Sequence, residues 1–127
     1  MDAVTIVTVK GRASEPERAV RLALMQLGRK FECNVQGLPG TPNIVLSGKR
    51  AIFVNRCFVH AHDCPRGKIF GAHAGPWRLA QARRVARDLA NYSLLADRME
   101  WRLLTVWECE TRDFKALKKK LQAFVSA

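Results

Sequence analysis

The sequence predicts an α/β protein with a central mixed sheet flanked by helices. Segments with helical and strand periodicity alternate in the order helix, strands, helix, strand, helix. Hydrophobic residues make up 48% of the chain, which excludes a disordered polypeptide. A length of 127 residues is enough for one domain with a core and too short for two ordinary domains. We therefore expect a single domain over residues 1–127.

Capping signals and spacing predict the first elements. Ser14 and Glu17 have the form of a capping box and Pro16 falls in the first turn, so a helix is expected from about 15 to 28. Its core-facing residues occur at helical spacing: Val20, Ala23, Leu24 and Leu27. Gly28 is placed to end this helix. A strand is expected over residues 29–35.

A hairpin is predicted next. NIVL at 43–46 and RAIFV at 50–54 are short apolar runs joined by Ser-Gly-Lys. The turn-rich segment GLPGTP at 37–42 precedes them as a loop. CFVHAHDC at 57–64 follows directly, and residues 65–75 are Gly-rich and irregular.

The second half of the chain predicts two helices around one strand. Pro76 opens a long helix that runs to about Asp97, with four residues along one side: Leu79, Ala82, Ala86 and Leu89. WRLLTVW lies in an apolar strand within 99–108. A last helix is expected from about 112 to 125, with the core stripe Phe114, Leu117, Leu121 and Phe124 and the basic face Lys115, Lys118, Lys119 and Lys120.

The charge favours a polyanionic partner. Lys and Arg number 22 against 11 Asp and Glu, which gives a net charge of +11. Neutralising phosphates with cationic side chains releases counterions, so such a domain suits nucleic acid, although a basic protein without this role has the same balance. The charge does not separate DNA from RNA. No apolar run reaches the roughly 18 to 20 residues of a membrane span, and the start lacks a signal peptide's apolar region. We expect a cytoplasmic protein.

The cysteine distribution favours zinc over disulfides. Nothing in the sequence is typical of secretion, and clustered Cys and His in a cytosolic chain are typical of a metal site. The candidate ligands form a Cys3His set, a common one for structural zinc: Cys57, His62, Cys64 and Cys109. Cys109 comes 45 positions after Cys64, which leaves it the least certain ligand, and chance clustering is the alternative. Cys33 is interpreted as a core residue on a strand.

Four ordered motifs resemble the very short patch repair (Vsr) DNA mismatch endonucleases. They are LPGTPNIVL, AIFVNRCFVHAHDC, VARD and WRLLTVWECE, and the resemblance spans roughly residues 14 to 110. It implies a restriction-endonuclease-like fold that nicks DNA beside the T of a T:G mismatch. It also implies catalytic magnesium and structural zinc, with the family's zinc ligands falling on Cys57, His62, Cys64 and Cys109.

The implied magnesium site departs from the family pattern. The family's metal-binding carboxylate corresponds to Asn43, and a neutral amide oxygen is a poor replacement because magnesium prefers anionic oxygen. The second metal contact is a backbone carbonyl, here that of Val54. A His that usually lies near the phosphate is replaced by Asn55. Asn43 is either a natural substitution in a non-cutting homologue or an engineered replacement of Asp.

The implied proton-transfer residues are kept. His60 corresponds to the family's general base, and a His can take a proton from water near neutral pH. Glu17 matches the acidic residue of the first helix, and Asp88 of VARD matches one that organises the site. The alternatives are a capping role for Glu17, a surface partner of Arg84 or Arg87 for Asp88, and a neighbour of the zinc loop for His60.

The implied DNA-recognition residues are also incomplete. In the family, an adjacent Phe-Trp pair inserts between stacked bases. Here Phe58 is kept and Val59 stands in place of the Trp. The alternative is that both residues pack beneath the zinc loop. Four basic residues are candidates for phosphate contact: Arg66, Lys68, Arg84 and Arg87. Arg78 and Arg83 extend this set, although an Arg-rich helix is often only a solvated face.

Three hypotheses follow from these residues. The chain is a metal-dependent mismatch endonuclease, a non-cutting DNA-binding relative, or a zinc-stabilised interaction module without DNA. We expect duplex DNA as the partner, no membrane association and a monomer in a bacterial cytoplasm, associated with the nucleoid when bound. Residues 1–13 are left open between a flexible arm and an extra strand over Val4–Val9.

Overall fold

The computed structural model describes residues 13–60, 62–64 and 74–126. Three α-helices and four strands alternate along it: α1 (Glu15–Gln26), β1 (Glu32–Cys33), β2 (Ile44–Leu46), β3 (Arg50–Asn55), α2 (Ala74–Ser93), β4 (Arg102–Trp107) and α3 (Phe114–Ser126). A π turn (Leu94–Arg98) follows α2 and a 3₁₀ turn (Glu108–Arg112) follows β4. The predicted α/β class and element order are confirmed.

The four strands form one mixed sheet in the order β1-β2-β3-β4. β1 with β2 and β2 with β3 pair antiparallel, whereas β3 and β4 are parallel, with Arg50 opposite Arg102 and Asn55 opposite Trp107. A parallel pair needs a long crossover between its strands, and α2 lies within that connection. The carboxyl ends of β3 and β4 therefore lie side by side, where CFVHAHDC leaves β3 and Glu108 and Cys109 leave β4.

The core lies between the sheet and the pair α1 and α3. It joins helix residues Val20, Ala23, Leu24, Leu117 and Leu121 to strand residues Ile44, Leu46, Ile52 and Val106. Neighbouring residues of a strand point to opposite faces, so Ile52 faces this core while Phe53 faces α2. The Phe53 ring packs edge-on against Tyr92 of α2, with 4.8 Å between ring centroids. Helices thus lie on both faces of the sheet.

The first half largely matches the prediction. The hairpin is confirmed, and helix α1 ends at Gln26, with Gly28 at φ 71° just beyond it. The capping box is half formed: Ser14 Oγ accepts from the Glu17 N–H at 3.3 Å, but the Glu17 carboxylate binds elsewhere. The strand expected over 29–35 is shorter, only Glu32–Cys33, because Asn34 adopts φ 50° and turns the chain.

Helix α2 presents a different face from the one that its apolar pattern indicates. Leu79 and Leu89 are 54% and 62% exposed, and Ala82 and Ala86 are exposed with them. The buried or half-buried residues of this segment are instead Gln81, Val85, Asp88, Asn91, Tyr92 and, in the π turn, Leu95. Four of these six are polar, because this face meets polar loop groups as well as the sheet. The apolar side of α2 is therefore solvent-facing.

Helix α3 buries its predicted stripe, with Leu117 and Leu121 at the core and Phe114 and Phe124 at its edge. Its lysines are not a uniformly solvated face. Lys120 Nζ donates to Glu110 Oε2 at 2.6 Å and to the Thr105 carbonyl, and Lys118 Nζ donates to Gln26 Oε1. Lys115 and Lys119 are exposed.

Some predictions fall outside the described residues. They are the arm at 1–12, most of the irregular segment at 65–75, Arg66 and Lys68. None of the described helices combines the length and apolarity that crossing a bilayer requires.

Candidate active site and metal centre

The four predicted zinc ligands converge at the carboxyl ends of β3 and β4. One ligand atom from each of Cys57, His62, Cys64 and Cys109 can be chosen so that all lie within 4.8 Å of one another. Neighbouring ligands of a tetrahedral zinc ion are about 3.3 to 3.8 Å apart, from Zn–N and Zn–S bonds of about 2.0 to 2.3 Å. The donor set and its spacing therefore fit a closed metal site with four protein ligands.

Neighbouring groups hold this cluster in place. The His62 ring stacks on Trp107 with 4.2 Å between centroids, and His62 Nδ1 lies 3.6 Å from Cys109 Sγ. Glu108 Oε1 accepts from the Cys57 N–H at 3.4 Å, which ties the loop after β3 to the turn after β4. Burial raises the pKa of the Cys57 thiol to about 12. The raised pKa favours the protonated thiol, whereas a bound cation would favour the thiolate. Cys33 lies apart from the cluster, in the core.

A second polar pair lies beside the cluster. His60 Nδ1 is 2.6 Å from Asp88 Oδ2, so an Nδ1–H donates to the carboxylate and Nε2 is left as the basic nitrogen. Both side chains are partly exposed, at 16% and 20%. The carboxylate fixes the tautomer and orientation of the ring. This arrangement can accept a proton from a water molecule at Nε2.

Asn43 is fixed by a hydrogen-bonded network between β3 and α1. Its Nδ2 donates to Glu17 Oε1 at 3.1 Å, and its Oδ1 accepts from the Val54 N–H at 2.7 Å. Glu17 is 7% exposed and is ion-paired through Oε2 with Arg21. The preceding loop approaches closely at Gly40, where an added Cβ would lie 3.1 Å from the Phe53 ring. The close loop and the network together determine where Asn43 lies.

These residues do not fit a magnesium site. Asn43 offers no charge, its Oδ1 is engaged by a backbone N–H, and Glu17 is already neutralised by Arg21. Magnesium demands near-ideal octahedral oxygen geometry and usually binds through at least one free carboxylate. The donor set lacks that carboxylate.

Asn55 is turned towards α2. It is 5% exposed and its Nδ2 donates to the Tyr92 hydroxyl at 3.0 Å. Burial is the main cause that raises the pKa of Tyr92, so its hydroxyl stays protonated near neutral pH. Asn55 thus serves as a packing contact of the sheet with α2, and its amide is held inside.

An exposed aromatic pair borders the cluster. Phe58 is 40% and Trp77 is 56% exposed, and their ring centroids are 5.9 Å apart. Gln81 of α2 donates through Nε2 to the Phe58 carbonyl, which fixes the loop that carries this ring. Val59 is half-buried beside it. The exposed aromatic surface is therefore built by a loop residue and a helix residue together.

The described basic candidates lie on α2. Arg84 and Arg87 are exposed, as is Arg83. Helix α2 also carries Asp88 and Trp77, so one helix presents the basic side chains, the partner of His60 and half of the aromatic pair.

Comparison with known proteins places this arrangement in a family. The family model of DNA mismatch endonuclease Vsr matches residues 3–66. Type II nicking enzyme V.XorIIP of Xanthomonas oryzae is 36% identical over 115 residues, which cover 90% of this chain and 84% of that protein. This chain belongs to the Vsr family. Type II nicking enzyme V.NmeAIP of Neisseria meningitidis is 27% identical over 94% of the chain and 86% of its own length. DNA mismatch endonuclease Vsr of Escherichia coli is 36% identical over 72% of the chain and 60% of its own length.

The structure gathers most predicted residues of this Vsr chain into two groups. Around the sheet end lie the four cluster residues, Phe58 and the pair His60 and Asp88. Asn43, Glu17 and the Val54 backbone form the other group. Asn55 joins neither group through its side chain, which binds Tyr92 instead.

Sequence reasoning missed four residues of the Vsr site: Arg21, Trp77, Gln81 and Tyr92. Arg21 has a visible signal, since it follows Glu17 by four positions and such pairs meet on a helix. Trp77 has a weaker one, as a large aromatic at the start of an Arg-rich helix. Gln81 and Tyr92 carry no local signal, because their partners are distant in sequence.

Proposed function

We propose that this Vsr protein engages duplex DNA at a T:G mismatch as an endonuclease domain, and that it carries the water-activating half of a nicking site without a complete metal-binding half. The observation that carries the proposal is the 2.6 Å contact between His60 and Asp88 beside the Cys/His cluster. The names of two relatives support the proposal, since one is a nicking enzyme and the other a DNA mismatch endonuclease.

His60 is the proposed general base. With Nδ1–H donated to Asp88, its Nε2 can take the proton of the water that attacks phosphorus next to the mismatched T. The bond between phosphorus and the leaving oxygen of the deoxyribose breaks, this oxygen takes a proton from solvent water, and one strand is nicked. Magnesium would stabilise charge on the phosphate in a complete site, and Asn43 provides no anionic ligand for it.

The metal proposed for the Cys/His cluster is zinc in a structural role. Four protein ligands leave no open position for a water molecule, which separates this metal from the cutting chemistry. The ion would tie the loop after β3 to the end of β4 and so fix His60 and Phe58, which lie within that loop.

DNA contact is proposed along α2 and the loop after β3. Phe58 and Trp77 form an apolar wedge that can unstack a base step, and Val59 contributes less area. Arg84 and Arg87, with Arg66 and Lys68, would bind phosphates. The net charge of +11 agrees with this assignment.

The proposal extends to the domain organisation, the fold, the oligomeric state and the location of the protein. We propose that residues 1–127 are one Vsr-like domain of restriction-endonuclease-like fold, supported by the mixed sheet with helices on both faces. It would act as a monomer in a bacterial cytoplasm, at the nucleoid when bound to DNA.

One observation favours a second candidate, a DNA-binding relative that does not cut. Every polar atom of the Asn43 side-chain amide that the structure describes is engaged, and Glu17 is neutralised. Such a protein would keep the mismatch contact and the cluster while lacking a cation at the scissile phosphate.

A nicking assay tests both candidates. The given sequence and Asn43→Asp are compared on T:G and fully paired duplexes with Mg²⁺ or Mn²⁺. We expect the Asp form to nick at least about 100-fold faster, since a metal ion contributes several kcal/mol to such steps. If neither form nicks any duplex, the endonuclease proposal is wrong. Salt-dependent duplex binding in the same buffers separates a DNA-binding relative from a module that does not engage DNA.

A further inference from the structure

Arg21 is ion-paired with Glu17, and Glu17 in turn binds Asn43, the residue at the position of the family's metal-binding carboxylate. Its Nη2 is ion-paired with Glu17 Oε2, while Glu17 Oε1 accepts from Asn43 Nδ2 at 3.1 Å. Asn43 Oδ1 in turn accepts from the Val54 N–H at 2.7 Å. We infer that the Arg21 guanidinium is the resident cation of this site, and that it replaces a divalent metal ion as the counter-charge of Glu17.

The charge balance supports this inference. Arg21 contributes one positive charge, Glu17 one negative charge and Asn43 none, so the network is neutral as it stands. The side chains of Arg21 and Glu17 are only 13% and 9% exposed. A divalent cation placed here would lie against a fixed positive charge in a poorly solvated setting, where like charges repel strongly. The network therefore selects against the metal.

The placement of Arg21 shows that it is more than a surface partner of its helix. Its Nε is buried and has no hydrogen-bond partner among the described residues, so the charge of Glu17 holds the group there. Burial raises the pKa of the Cys33 thiol on β1, and Arg21 opposes that rise while Glu17 adds to it. Both charges therefore affect the pKa of a residue in the sheet.

Two substitutions would shift the charge balance in the same direction by different routes, and metal binding can report both. Asn43→Asp sets a second carboxylate within hydrogen-bond distance of Glu17, and Arg21→Met removes the resident cation. Each leaves one uncompensated negative charge. A divalent cation would meet a net negative charge in both variants, although Arg21→Met offers it one carboxylate and Asn43→Asp offers it two.

The experiment measures thermal unfolding during titration with Mn²⁺ and Mg²⁺, without DNA. Chelator-free, metal-depleted buffer is used so that the Cys/His cluster is not stripped, and zinc content is measured throughout. Arg18→Met, an exposed residue of α1, controls for loss of positive charge. Gln26→Glu controls for gain of negative charge, and it lies nine residues beyond Glu17, roughly 13 Å along the helix.

We expect the unsubstituted chain and both controls to shift by less than about 1 °C up to millimolar metal. Asn43→Asp should unfold at a lower temperature without metal and gain about 3 to 6 °C at ten times Kd, in a saturable manner. Arg21→Met should show a smaller saturable gain.

Three outcomes would overturn the inference. The first is an unsubstituted chain that responds as strongly as Asn43→Asp. The second is a folded Asn43→Asp that does not respond. The third is an Arg21→Met response no greater than that of Arg18→Met. The inference takes its metal position from the proposed function, but this readout is independent of nicking. A failed nicking assay with a responsive Asn43→Asp would therefore reject the proposed activity and leave the role of Arg21 standing.

Discussion

The Cys/His cluster and the Asn43 network are two polar sites attached to the same strand, β3, and they differ in completeness. The cluster brings together all four predicted ligands, three Cys and one His, and their ligand atoms lie within 4.8 Å of one another. The Asn43 network keeps its geometry between Glu17 and the Val54 N–H but has exchanged an expected anionic ligand for an amide. The metal proposed for the cluster would support the fold, whereas the fold around Asn43 forms without the expected carboxylate.

The two sites differ in how far their structure depends on a metal ion. Without a metal, the four converging Cys and His side chains would leave the buried Cys57 thiol without a ligand, and the hydrogen bond from the Cys57 N–H to Glu108 would still connect the loop after β3 to the turn after β4. Asn43 carries no charge for a metal ion to balance, and its amide is satisfied by two hydrogen bonds. The packing of the described residues around Asn43 therefore does not require the ion.

Breaking the cluster is expected to have the largest effect. Cys109→Ser should lower the free energy of unfolding by more than about 4 kcal/mol, because loss of a structural metal is among the most destabilising changes. Thermal unfolding and zinc per chain by mass spectrometry measure this. Cys33→Ala, which shortens a core thiol away from the cluster, should keep one zinc per chain. Purified protein without zinc would remove the assignment.

Removing the proton acceptor should have the next largest effect. In the Asn43→Asp background, His60→Gln should lower the single-turnover nicking rate by about 10²- to 10⁴-fold, the usual contribution of general acid–base catalysis. Asp88→Asn should reduce the nicking rate less, since Asp88 acts through the imidazole. Unchanged T:G binding in both variants is the control, and a His60→Gln variant that nicks at the parent rate would exclude His60 as the base.

The exposed aromatic pair gives a smaller effect, confined to DNA binding. Trp77→Ala should weaken binding to a T:G duplex by about 5- to 150-fold, since stacking of a base on an aromatic ring contributes about 1 to 3 kcal/mol. Binding to a paired duplex should change little. Leu89→Ala, an exposed residue of the same helix, is the matched control. Equal losses on both duplexes would show that Trp77 does not read the mismatch.

The same contrast explains what the sequence could predict. Three cluster ligands fall within eight residues, so local spacing indicated the metal site, and the hairpin followed from two apolar runs and a turn. The inward face of α2 could not be read from its apolar pattern, because Gln81 and Asp88 point inward to bind Phe58 and His60. These partners come from a loop that periodicity does not describe.

Arg21 illustrates a further limit of the sequence. An Arg four residues after a Glu on a helix is usually an exposed pair of small energetic consequence. Here the pair is largely shielded from solvent, and Asn43, which comes 26 positions after Glu17 and just before β2, donates to the same carboxylate. The resemblance to a family identified the position of the missing carboxylate, but only the fold shows what neutralises Glu17.

The basic face of α2 carries the smallest expected effect. Arg87→Gln should reduce the slope of log binding constant against log salt concentration by about 1, and should weaken binding to all duplexes alike, because one phosphate contact is lost. Lys115→Gln, which removes another exposed cation on α3 across the sheet, should leave the slope unchanged. Slopes are measured by fluorescence anisotropy at several salt concentrations. If both substitutions change the slope equally, the protein attracts DNA through its total charge and α2 is not the contact face. A change of slope only in Arg87→Gln would assign the phosphate contact to α2, the helix that also carries Asp88 and Trp77. The DNA would then lie next to His60 and Asp88, although Asn43 provides no anionic ligand for a metal ion.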